Sequence, residues 1–301
     1  SCRFGDVVVE GRWFSNHEIR CRSPRHIPTT VMLETSGNGI DWSDSGISFV
    51  FYVSPSIISI SPTHGPERGM SLITIYGNHF VNSKMLSCKF GEIITNVHSY
   101  ISKSEIVCYS PNLKRLGRPG SVEVEVSNNN QTYTTNTVRF TYDATSMVST
   151  LSPQSGPSSG GSRVVLYGYG FRDYSTLGCK FGDVKVKGHF ISDTEIECVT
   201  PSMPIQSSTV EMTLNGYDYT FSKILFDFER NIRITNIWPS MGPAYAGGTV
   251  ITVRGIGFKE TTQLMCRFGA AATSPARYIN SQTIVCRSPP SRPGLISFEV
   301  N

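Results

Sequence analysis

The stretch Cys88-Lys89-Phe90-Gly91, with Cys108-Tyr109-Ser110-Pro111 some twenty residues later, decides the fold because it recurs. Its other copies are Cys2-Arg3-Phe4-Gly5 with Cys21-Arg22-Ser23-Pro24, and Cys179-Lys180-Phe181-Gly182 with Cys198-Val199-Thr200-Pro201. The last is Cys266-Arg267-Phe268-Gly269 with Cys286-Arg287-Ser288-Pro289. All eight cysteines of the chain lie in this pattern, two per copy. A period of about ninety residues is the size of one immunoglobulin-like sandwich, so the chain reads as a tandem array.

Working outward, the second, third and fourth copies are each preceded by the same opening. Ser61-Pro62-Thr63-His64-Gly65-Pro66, Ser152-Pro153-Gln154-Ser155-Gly156-Pro157 and Trp238-Pro239-Ser240-Met241-Gly242-Pro243 all read Pro-x-x-Gly-Pro. Proline ends a helix and cannot donate to a central ladder, so this is expected to be an edge strand ending in a turn. A glycine-bearing turn and a strand follow, then Gly77-Asn78-His79-Phe80, Gly168-Tyr169-Gly170-Phe171 or Gly255-Ile256-Gly257-Phe258. Each Phe stands eight residues before the next cysteine. Within Cys-x-Phe-Gly the Cys and Phe are two residues apart and face the same side of a strand, read as inward. The complete repeats close on hairpins, Val122 to Val126 with Val138 to Tyr142, and Val210 to Leu214 with Ile224 to Phe228. In the first copy, Val31 to Thr35, Gly37-Asn38-Gly39 and Ile47 to Tyr52 read as a hairpin with an Asn-Gly turn. The domains expected are 1–53 (front half missing), 54–143, 147–228, and 232–301 (closing strand missing).

Composition fits strands and turns. Of 301 residues 39% are hydrophobic and 17% charged, with a net charge of +4. No block of like charge suggests nucleic-acid binding, and the densest basic stretch, Lys114 to Arg118, reads as a solvated loop. The most apolar run, Ile47 to Ile60, is broken by serines and a proline, so no membrane insertion is expected in this segment. Gly168-Tyr169-Gly170 and Gly255-Ile256-Gly257 lack the helix of a phosphate loop and read as turns. Asp41 to Gly46 lacks the bidentate acid of a calcium loop, since Tyr52 stands there. No nucleophile motif is present, so no catalytic residue, metal or cofactor is assigned.

Together, the opening, the glycine turns and the two cysteine motifs resemble IPT/TIG domains. These are Ig-like modules found in plexins, hepatocyte-growth-factor-type receptors, fibrocystin-like ciliary proteins and protist surface proteins. The resemblance covers nearly the whole chain. It departs at Gly69-Met70, where Gly-Gly is usual, and at Asn78-His79, where x-Gly is usual. It implies an all-β chain of tandem Ig-like (IPT/TIG) β-sandwich repeats, which short connections would make a semi-rigid rod.

Eight cysteines allow 105 pairings. Because both recur in every copy, the pairing expected is Cys2–Cys21, Cys88–Cys108, Cys179–Cys198 and Cys266–Cys286, each bridge worth roughly 3 kcal/mol. Eight buried thiols in a reducing cell are the alternative. Paired cysteines point outside the cytosol, to an extracellular or cell-surface location. Asn130-Gln131-Thr132 is a glycosylation sequon at a polar hairpin tip. The leading reading is a non-enzymatic structural and interaction protein: a stalk, an adhesin, or a subunit of a cell-surface fibre or ciliary appendage. Its partners would be proteins, other copies of itself among them, and glycans, with no nucleic acid. The ectodomain stalk of a plexin-like signalling receptor is the alternative. IPT/TIG domains also occur in Rel-type transcription factors, but DNA binding would need a basic loop cluster and reduced cysteines. An accessory module of a secreted carbohydrate-active enzyme is a further reading.

Overall fold

The structure, a computed structural model, describes residues 1–112, 120–135, 138–270 and 272–300. The stretch Lys114 to Arg118 lies outside them. Two compact units, Ser1–Thr145 and Ser146–Asn301, are described in turn. Among the described residues the regular elements are all strands.

The first unit opens with β1 (Cys2–Phe4), β2 (Val7–Val9), β3 (Gly11–Ser15), β4 (Glu18–Cys21), β5 (Thr29–Thr35) and β6 (Ser48–Phe51). One sheet runs β2-β1-β5-β6, and β3 pairs with β4. The expected hairpin of Val31 to Tyr52 forms, with Thr29 opposite Phe51, and residues 36–47 join its strands in place of a two-residue turn. Gly37-Asn38-Gly39 lies at the tip, inside the 2.9 Å hydrogen bond that Ser43 N donates to Thr35 O, and Asn38 accepts there from the N–H groups of Ile40 and Asp41, each at 2.9 Å. An Asn side chain that imitates a backbone turn in this way stabilises a loop as readily as a hairpin.

The second module shows how a complete repeat is built. Its strands are β7 (Ser56–Ser61), β8 (His64–Pro66), β9 (Leu72–Asn78), β10 (Ser87–Phe90), β11 (Ile93–Ser102), β12 (Glu105–Tyr109), β13 (Ser121–Ser127) and β14 (Arg139–Asp143). Their order is β7-β9-β12-β11-β10-β13-β14-β8. Alternation places Ile73, Ile75, Cys88, Phe90, Ile106, Cys108, Val124, Val126 and Phe140 inward, in one core. The long β11 serves both layers: Ile93 to Asn96 pair with β10, and Val97 to Ser102 with β12. The Pro-x-x-Gly-Pro opening differs from the expected strand-then-turn. β7 runs antiparallel to β9, the ladder stops at Pro62, and β8 crosses over to run parallel to β14. Proline has no N–H to continue the first ladder, so the chain is released there to the other layer.

The second unit repeats this plan. Its strands begin with β15 (Met147–Ser152), β16 (Ser155–Pro157), β17 (Arg163–Tyr169) and β18 (Gly178–Phe181). They continue with β19 (Val184–Ser192), β20 (Glu195–Val199), β21 (Gln206–Thr213) and β22 (Ile224–Glu229), in the same order around a separate core. The fourth module has β23 (Arg233–Trp238), β24 (Val250–Ile256), β25 (Met265–Phe268), β26 (Ala272–Asn280), β27 (Thr283–Arg287) and β28 (Phe298–Val300), with a smaller core of its own. A cleft of about 360 Å³ lined by Ile237, Met241, Pro243, Phe268, Leu295 and Phe298 opens beside β28. Within this unit Lys259 pairs with Glu229 at 2.6 Å, and Asn231 accepts from Ser158 Oγ and Ser159 N at 3.1 Å, tying the third module to the segment that enters the fourth.

Candidate functional site

The recurrent motif is itself the candidate site, and its parts are held by neighbouring strands in a fixed way. The structure bonds the cysteines within each copy: Cys2–Cys21, Cys88–Cys108, Cys179–Cys198 and Cys266–Cys286, with Cα–Cα distances of 6.3, 6.6, 6.3 and 6.4 Å. In the complete modules each bridge crosses the core from β10 to β12, or from β18 to β20, and so staples one layer to the other. No cysteine is left free. Such a density of bridges belongs to oxidising compartments, and this is an extracellular chain.

The Phe of Cys-x-Phe-Gly is the centre of an aromatic cluster. Phe4 meets Phe49 edge-on at 5.0 Å, Phe90 meets Phe140 at 6.0 Å, Phe181 meets Phe226 at 5.7 Å, and Phe268 meets Phe298 at 5.0 Å. Edge-to-face geometry adds attraction to plain burial. The sequence carried the signal for these partners in the alternating aromatics Phe49-x-Phe51, Phe140-x-Tyr142 and Phe226-x-Phe228.

In Cys-x-Ser/Thr-Pro the hydroxyl has a role that the sequence did not reveal. Ser110, Thr200 and Ser288 each accept a hydrogen bond from the backbone N–H of Ser71, Ser162 or Thr249, at 3.1, 3.0 and 3.1 Å. Valine or alanine would offer no acceptor there, which explains why the position takes only Ser or Thr. The following proline backs onto the glycine turn. A Cβ on Gly69 or Gly160 would come within 2.6 or 2.5 Å of the backbone of Pro111 or Pro201. Tyr142 also donates to the carbonyl of Pro111 at 2.9 Å, and burial pushes its hydroxyl well above the usual tyrosine pKa.

Outward from the same strand stands the basic residue. Arg3 Nε donates to Glu34 at 2.8 Å and its guanidinium lies 4.7 Å from the Trp42 ring. Lys89 Nζ donates to Glu125 at 2.9 Å, over Tyr133, and the Glu125 hydrogen bond raises the lysine pKa against the opposing effect of burial. Arg267 pairs with Glu299. The third copy, Lys180, is different: it lies 4.9 Å from the Tyr219 ring and has no ion-pair partner among the described residues. A glutamate on the adjoining strand was the sequence signal for these pairs.

Asn130 sits exposed at the tip between β13 and β14 with φ of 56°. Its Oδ1 accepts from Tyr133 Oη at 2.7 Å and Ser87 Oγ at 3.1 Å. Among the described residues no group of three or more His, Cys, Asp or Glu is placed to hold a metal ion, and no helix is long and apolar enough to cross a membrane.

The family model described as the IPT/TIG domain matches residues 55–142, 146–228 and 233–301, and the chain belongs to the IPT/TIG family. It is similar to fibrocystin-L of Mus musculus, 27% identical over 79% of this chain and 5% of the relative. It is also similar to plexin-A2 of Mus musculus, 26% identical over 99% of this chain and 16% of the relative. The chain therefore spans a small part of the curated relatives it matches. Among solved structures the full extracellular region of plexin A4 aligns with 86% of this chain and 23% of that one, at 20% identity and a TM-score of 0.45.

Proposed function

We propose that this chain is a non-enzymatic stalk segment of an extracellular interaction protein, a run of disulfide-stapled IPT/TIG modules that spaces and presents binding surfaces. The observation that carries the reading is the repeated unit itself: the positions that recur from copy to copy are spent on bridging, packing and turn geometry rather than on convergent reactive groups. The ion pair and hydrogen bonds around Glu229 and Asn231 support a stiff connection between the third and fourth modules. Between a stalk and a fibre subunit, the strand edges favour the stalk. β7, β15 and β23 lie at sheet edges, and each has a register shift, between Ile57 and Ser59, Val148 and Thr150, and Ile234 and Asn236. Bulges on edge strands oppose edge-to-edge stacking.

Proteins and glycans are the partners this role requires. Asn130 fits a glycan acceptor, since its Oδ1 is held while Nδ2, the atom that takes the sugar, donates to no group among the described residues. Electron microscopy of the natural material, combined with sedimentation of the purified chain, tests the reading. Extended single particles are expected. Ordered filaments would overturn the stalk in favour of a fibre.

A further inference from the structure

We propose that the outer face of β18, β19 and β21 in the third module binds an acidic polysaccharide. This rests on the interaction role above and gives one partner a chemistry. Three modules neutralise the basic residue of Cys-x-Phe-Gly with a glutamate across the strand. The third has a glutamate at that register too, Glu211 opposite Lys180, but its carboxylate is turned away. Its oxygens accept from Thr220 Oγ1 at 2.5 Å, Ser222 N at 2.9 Å and Lys223 N at 2.8 Å, and the side chain is buried. The loop after β21 has captured the acid, and Lys180 is left without it.

A second departure falls beside the first. Across from the basic residue the other modules place Val8, Ile94 and Thr273, all uncharged, whereas Lys180 faces Lys185. Like charges directly opposite on neighbouring strands are destabilising. Both ammoniums nonetheless converge on one ring, 4.9 and 5.4 Å from the centre of Tyr219. Lys187 occupies the next outward position of β19, opposite Gly178, and Lys223 stands at the end of the returning loop over Phe221. Among the described residues none of these four lysines has an ion-pair partner. Of the nearby acids, Glu211 is held by the loop, Asp218 accepts from Asn215 at 2.7 Å, and Asp183 lies in the turn between β18 and β19, with no ion pair among the described residues.

The shape selects a polymer over a small anion. The lysines stand on an open sheet at strand spacing, about 5 Å across and about 7 Å along, a row that matches repeated negative charges. Tyr217 and Phe221, 64% and 77% exposed, stand two residues to either side of Tyr219 in the same loop, and such rings offer apolar faces to sugar C–H groups.

The test is biolayer interferometry of the whole chain on an immobilised heparin oligosaccharide, with dextran, poly-glutamate and single-stranded DNA alongside. Heparin is expected to bind, and to release as salt rises from about 0.15 M to about 0.5 M, because screening weakens exposed charge pairs. K185Q/K187Q, two exposed changes on a face that gains from losing a like-charge pair, is expected to weaken binding about tenfold or more. K103Q/R172Q, exposed elsewhere, is expected to leave it unchanged. Absence of heparin binding by the disulfide-intact chain, equal loss in both double variants, or equal binding of DNA or poly-glutamate through the same lysines would each overturn the proposal. These outcomes leave the stalk reading standing. Free thiols in the native chain would remove that reading whatever heparin does.

Discussion

Met70 and His79 hold φ of 68° and 61°, where the third module has Gly161 and Gly170 and the fourth Gly248 and Gly257. A side chain in this left-handed region costs roughly 1–2 kcal/mol, partly offset by the smaller entropy that a non-glycine residue loses on folding. Met70→Gly or His79→Gly is therefore expected to stabilise the second module by a few tenths to about 1 kcal/mol, read as a higher urea midpoint. A lower midpoint would show that the Met and His side chains make compensating contacts. Gly160→Ala is expected to cost the third module more than about 2 kcal/mol, since the new Cβ meets the backbone of Pro201 at a φ of 75°. Ser110→Ala removes the acceptor facing the N–H of Ser71 inside the core, with an expected loss of about 1–3 kcal/mol in chemical unfolding.

At the scale of elements, strands and their inward faces were legible because a period of two and recurring cysteines are local signals. The aromatic pairs were half legible: Phe90 announces itself, but its partner Phe140 lies fifty residues away on β14 and is found only once the layers are stacked. Neither the crossing of β8 to β14 nor the capture of Glu211 by its loop is announced by a sequence pattern: the first joins segments far apart in the chain, and the second depends on how the loop after β21 folds back. The hairpin of β5 and β6 was legible from its Asn-Gly signal, whereas the length of the loop that Asn38 ties was not. Phe181→Ala is expected to destabilise the third module by about 3–5 kcal/mol, because the cavity would open against Phe226 and Phe228. Replacing Cys179 and Cys198 together by serine is expected to cost about 2–5 kcal/mol, seen as loss of the third module's transition before the second's in calorimetry.

For the molecule as a whole, the second, third and fourth modules each have their own core, and each of the four copies has its own bridge. Modules that each have a core and a bridge of their own are expected to unfold as separate events. Pulling the chain from its ends is expected to give successive rupture steps, each lengthened when a reducing agent frees the residues between its cysteines. A single rupture would mean one merged globule. The most direct measurement is peptide mapping by mass spectrometry of the alkylated, non-reduced chain from its natural source. Linked peptides joining Cys2 to Cys21, Cys88 to Cys108, Cys179 to Cys198 and Cys266 to Cys286 are expected, while eight alkylated thiols or links between different modules would contradict the self-contained extracellular module.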